Sequence, residues 1–180
     1  MKPKICKSCR QKFQPTRPMQ KVCSFGCAVQ FANTVSERNA EKKRKADEKA
    51  HREAKVKAKT RAQWLKEAQV AFNRWIRIRD SGRPCISCGR IHQGQNHAGH
   101  YLSIGARPEL RFNEQNVHLQ CQPCNTHLSG NLVNYRIGLL TKIGAEQVQF
   151  LEGPHEPCHY TIDEIKEIKA RYTALCKEIK

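Results

Sequence analysis

Eight of the ten cysteines in this 180-residue chain fall into two sets of four. Cys6-x2-Cys9 is followed by Cys23-x3-Cys27, and Cys85-x2-Cys88 by Cys121-x2-Cys124. Paired thiolates at such spacing chelate zinc, and two pairs complete a tetrahedral site with little chain. The N-terminus, Met1-Lys-Pro-Lys-Ile-Cys6, carries charge without an apolar export segment, and no apolar run approaches the ~18–20 residues of a membrane span. A reducing cytoplasm and no membrane association are therefore expected, with two structural zinc ions in place of disulfides. Cys158 and Cys176 stand alone and are expected to be free thiols.

Charge is divided as unevenly as the cysteines. The formal net charge is +17, which implies an anionic partner, nucleic acid being the commonest. Residues 1–36 hold seven Lys/Arg and no acid, and residues 37–62 hold eleven against five. The other 118 residues hold fifteen against eleven. The first third thus carries +13. The first cysteine set, with Phe13 and Val22 as a minimal core, looks like a treble-clef-like finger spanning 1–35. Residues 27–81 lack Gly and Pro, which favours helix. Within them 36–60 reads as a solvated basic arm whose Lys42-Lys43-Arg44-Lys45 run is suited to phosphate contact. It lacks apolar heptads, which argues against a simple coiled coil.

Residues 61–180 read as a third region. Thr60-Arg-Ala-Gln63 and Thr161-Ile-Asp-Glu164 have the form of capping boxes. The first opens a helix with Trp64, Leu65, Ala68, Phe72, Trp75 and Ile76 on one face; the second opens one with Ile165, Ile168, Tyr172, Leu175 and Ile179. The 32 residues between Cys88 and Cys121 exceed a simple zinc ribbon and, with those just after, contain His97-Ala-Gly-His100-Tyr101, Asn113-Glu-Gln-Asn116-Val-His118 and Asn125-Thr-His127. Two short strands are expected around Tyr101 and Val117–Leu119, with a helix able to begin after Cys124.

This order resembles a zinc-bracketed HNH (ββα-metal) nuclease, with the motif core at 85–131. Cys85-Ile-Ser-Cys88, Ala98-Gly-His100-Tyr101, Leu110-Arg-Phe-Asn-Glu114, Cys124-Asn125 and Ser129-Gly-Asn131 are closer still to the NinG/Rap recombination endonucleases of lambdoid phages. That resemblance spans nearly the whole chain. It implies an α+β, mostly helical fold and metal-dependent hydrolysis of branched DNA such as Holliday junctions and D-loops. A homodimer would ease cutting of both strands, and a phage protein would act in the host cytoplasm.

Carried over by position, the resemblance makes His100 the general base and Asn116 the residue that orients it. Asn125 becomes a ligand of a catalytic Mg2+ or Mn2+. Where many HNH sites carry a second ligand this chain has Gly99, and His97, two residues earlier on the same strand face, is the nearest substitute. Glu114 is a weaker one. Leu128 stands where many HNH helices carry Lys. His118 is assigned a supporting role, and Arg107 and Arg111 are candidate phosphate clamps. His127 is expected to face solvent or DNA; His92, His155 and His159 lack partner spacing and are read as surface residues. Two other readings remain open. One is a non-catalytic zinc protein that binds nucleic acid and assists recombination; the other is an RNA-binding zinc protein.

Overall fold

The computed structural model describes residues 1–179 and divides into two compact units, Met1–Lys59 and the chain from Thr60 onward. In the first unit β1 (Lys4–Ile5) pairs antiparallel with β2 (Lys12–Phe13), and α1 runs Phe25–Lys57. Ser24 caps α1 by accepting from the Cys27 N–H, so the fourth cysteine of the set lies in the helix's first turn. Among the described residues of this unit only Cys6 and Pro15 are buried, and α1 buries none. Phe13 and Val22 are only half-buried, too small a cluster to exclude water. A fold with so little core depends on its cysteine cluster.

The second unit opens with α2 (Arg61–Arg79), where the Thr60–Gln63 capping box is complete on both sides. β3 (Asn96–His100) and β4 (Val117–Cys121) form an antiparallel pair with His97 opposite Gln120 and Gly99 opposite His118. After a π-turn at Pro123–His127, α3 spans Leu132–Glu152 with a kink at Gly144, and α4 covers Ile162–Glu178 behind its own complete capping box. The helix after Cys124 thus starts later than the sequence suggested. The π-turn and the left-handed residues Ser129, Gly130 and Asn131 come first.

Strand alternation gives the pair two faces. Ala98, Val117 and Phe112 pack with Ala68, Phe72, Trp75 and Ile76 of α2 and Ile165, Tyr172 and Cys176 of α4. Phe72 sits edge-on to Tyr172 and Phe112, with ring centroids 4.8 Å and 5.7 Å apart. Ile179, expected on the buried face of α4, is exposed at the helix end, and Cys176 is buried instead. On the other side Tyr135 of α3 donates to Gly99 O at 2.8 Å and accepts from His118 N at 3.0 Å. Tyr135, Leu139, Val148 and Leu151 close a second core with Tyr101 and Leu110. Gly138 lets α3 approach the second cysteine set, because a Cβ there would lie 2.0 Å from Ile86 O. Among the described residues no helix is long and apolar enough to cross a membrane.

Candidate active site and metal centres

A tetrahedral ion with Zn–S bonds of about 2.3 Å sets its sulfurs about 3.8 Å apart. Cys9 and Cys23 are 3.7 Å apart, Cys23 and Cys27 3.6 Å, and Cys88 and Cys121 3.9 Å. All four sulfurs of each set lie within 4.8 Å of one another, so both sets fit zinc. Four thiols this close resist ionising together: hydrogen bonding with Cys27 pushes Cys23 up to about 12, and burial pushes Cys121 up to about 12. A divalent cation relieves that repulsion. N–H groups already point at the sulfurs of the second set: Cys121 N at Cys85 and Asn131 Nδ2 at Cys124, both 3.4 Å. His92 Nε2 lies 3.4 Å from Cys88 Sγ, which removes His92 from the surface role its spacing suggested. The Cys88-x3-His92 interval, one helical turn long, was the missed signal.

Between the paired cysteines, β3 ends at His100. Its Nε2 is 3.1 Å from Arg111 O, and a carbonyl only accepts, so Nε2 carries the proton and Nδ1 keeps a free lone pair. Burial, partly opposed by that carbonyl, lowers the imidazole's pKa, keeping it neutral near pH 7.

Asn116 is fully buried and has no hydrogen bond to the His100 ring. Its Oδ1 accepts from Leu102 N at 2.9 Å, and its Nδ2 donates to Leu102 O at 3.0 Å and Leu110 O at 3.3 Å. It pins the loop from Leu102 to Leu110, whose next residue supplies the carbonyl that holds His100. Asn116 therefore touches His100 only through that loop.

His97 and Asn125 meet directly, with Nδ1 and Nδ2 2.9 Å apart. Alternation places His97 and His100 on opposite faces of β3. Glu114 is committed elsewhere, accepting from Tyr172 at 2.9 Å and Arg171 at 3.2 Å.

His118 is buried in a polar knot. Arg79 donates to its Nδ1 at 3.0 Å, and its Nε2 faces Gln115 O at 3.0 Å. Burial lowers its pKa, against the pull of Asp80. Asp80, 1% exposed, binds Arg79 at 2.7 Å, Lys142 at 3.4 Å and Leu119 N at 3.1 Å. Burial alone would raise this carboxyl, but its neighbours His118, Arg79 and Lys142 hold it well below the ordinary carboxylate range. Nothing in the spacing of Arg79-Asp80 marked it as this hub.

The candidate phosphate clamps are tied into the fold. Arg107 pairs with Glu109 at 2.6 Å and also donates to Gly153 O. Arg111 donates to Gln69 at 3.0 Å, and burial lowers its pKa. On α1, Lys42, Lys43, Arg44 and Lys45 are exposed, with Arg44 bridging Glu41 and Glu48 and Lys45 bridging Glu41. Leu128 and His127 are exposed at the end of the π-turn. His155 packs edge-on to Phe150 with centroids 4.9 Å apart.

The whole chain, residues 1–180, matches the family model described as NinG, Bacteriophage Lambda NinG protein. The chain belongs to the NinG family. It is 42% identical to Protein ninG of Escherichia phage lambda, over 97% of this chain and 92% of that one. The Protein ninG sequences of Escherichia phage 933W and Salmonella phage P22 are each 40% identical, over 97% of this chain and 92% and 93% of theirs. No solved structure matches the chain. The matched residues include both cysteine clusters and the strand pair that joins the halves of the second.

Proposed function

We propose that this NinG-family chain is a metal-dependent endonuclease of the ββα-metal type, acting on branched recombination intermediates in DNA. The observation that carries the reading is the fixed tautomer of His100. Arg111 O accepts a hydrogen bond from Nε2–H, which leaves Nδ1 as a neutral acceptor at the end of a strand bracketed by a four-cysteine cluster. A water molecule gives its proton to Nδ1 as its oxygen bonds to phosphorus. The bond from phosphorus to the 3′ oxygen breaks, and the leaving oxygen takes a proton from solvent. His97, with Asn125 against its ring, would hold a divalent ion, which would supply stabilisation of the charge that builds on the phosphate and the leaving oxygen. The exposed cations of α1 hold the DNA backbone without reading bases.

The test is incubation of the full chain with four-way-junction, linear duplex and matched RNA substrates, with and without Mg2+ or Mn2+. Metal-dependent nicking of the DNA junction, lost in His100→Ala with binding retained, is the expected result. Binding without cleavage under every metal supports instead a non-catalytic zinc protein that assists recombination. Preference for the RNA substrate would overturn the choice of DNA.

A further inference from the structure

Among the described residues two buried side-chain polar atoms have no hydrogen-bond partner, His97 Nε2 and Gln120 Oε1. They belong to residues directly opposite each other in the β3–β4 ladder, so both project from one face of the pair. Gln120 is wholly buried, and the orientation of its amide is determined. Its nitrogen donates to Gly130 O at 2.6 Å and to Ser87 Oγ at 2.7 Å. Because Gly130 O can only accept, that end of the amide must be the NH2, and the bare atom is a carbonyl oxygen.

That oxygen has a definite address. A Cβ built on Gly99 would lie 2.1 Å from Gln120 Oε1 and 2.9 Å from Gln120 Cβ. The Gln120 carbonyl therefore fills the position from which a side chain at residue 99 would start. This explains the departure at Gly99 in physical terms. A larger residue there would have to displace the amide that arrives from the neighbouring strand.

We infer that Gln120 Oε1 is a ligand of the divalent ion, delivered across the strand pair in place of a residue-99 side chain, together with His97 of the same face. The inference rests on the nuclease reading for the presence of that ion. Asn125 then gains a distinct role. Turned end for end at the same 2.9 Å separation, its amide oxygen accepts from His97 Nδ1–H and leaves Nε2 with a bare lone pair. A ligating imidazole is commonly oriented by such a second acceptor. In that state, and not with Nδ2 turned toward His97 Nδ1, both atoms are bare acceptors on one strand face, which a small cation satisfies and which cannot satisfy each other.

The experiment uses the full chain with both four-cysteine sites loaded with zinc, labelled with 15N. Titration with Mg2+ is expected to move the Gln120 side-chain NH2 signal together with the His97 ring, and Mn2+ to broaden both. Two variants of similar size then separate the ligand from the packing role. Gln120→Leu weakens Mn2+ affinity about tenfold or more, the range for losing groups that hold or orient a ligand. Gln120→Glu keeps an oxygen at the same point and, protonated on the other, still donates to Gly130 O, so it retains affinity near that of the wild type. A purely packing role would weaken binding in both variants or in neither, and either result overturns the inference. Mn2+ broadening of His97 that leaves the wild-type Gln120 signal untouched overturns it too, while leaving the nuclease reading in place. No response at either residue, in a chain that still cuts DNA with Mn2+, has the same meaning. No response and no cleavage removes both readings.

Discussion

The His100 ring is fixed by a single backbone carbonyl, and in the proposed nuclease that arrangement has a pH signature. Burial keeps its folded pKa below the ordinary ~6.5, so the ring is neutral throughout pH 7–8. Cleavage is expected to be flat across that range and to fall as acid protonates the ring below about pH 6.5, in a pH–rate profile with substrate saturating. Stability follows the same direction. His100 and His118 both have depressed folded values, so the unfolded chain binds more protons than the native one as pH drops through ~6.5. The urea midpoint should decline from pH 7 to pH 5. Asp80 adds its loss only below its unfolded value of about 4, since its carboxyl is also depressed in the fold. Asn116→Ala should cost stability before chemistry. It strips partners from Leu102 N and O and Leu110 O, about 1–3 kcal/mol for each buried group left unpaired. Of these residues, His100 was legible in the sequence because its neighbours Ala98, Gly99 and Tyr101 travel with it. Gln120 was not, since its role depends on which residue lies across the ladder, and a single strand does not state its register.

At the scale of elements, the capping boxes were the most readable feature. Thr60 and Thr161 each accept from the N–H three residues on, and Gln63 and Glu164 each return the bond. The apolar faces of α2 and α4 followed from their period, except at the frayed end where Ile179 emerges. The stretch after Cys124 was hidden for a physical reason. Pro123 starts a five-residue π-turn, and three left-handed residues follow before α3, a backbone path that side-chain period cannot reveal. Gly138 reads in sequence as a weak point in a helix; in the fold it is the contact that seats α3 on the second cysteine set. Gly138→Ala should lower thermal stability, by about 1–3 kcal/mol for an overpacked contact against an unyielding backbone oxygen. Zinc release to a chelator should quicken in the same variant.

Across the whole molecule the two units differ in what holds them. The first buries only Cys6 and Pro15 among its described residues, whereas the second has two apolar clusters. Chelation should therefore unfold residues 1–59 first, seen as rapid trypsin cleavage within α1, while residues 60–180 retain helix by circular dichroism. Removing residues 1–59 should leave the second unit folded and reduce DNA affinity. The log–log salt slope should flatten by about 0.9 for each phosphate that α1 no longer neutralises. An unchanged slope would show that α1 does not touch the backbone.

The exposure of the sulfurs has a further consequence. In the first set Cys9 is open to solvent, Cys23 and Cys27 partly so and Cys6 buried, whereas in the second only Cys88 is partly open. Oxidants attack the thiolates they can reach, converting them to sulfenic acid and then to disulfide. Peroxide would therefore disarm the basic arm while the strand pair is still intact, so that oxidative damage to this chain loosens its grip on a polyanion before it blunts any chemistry.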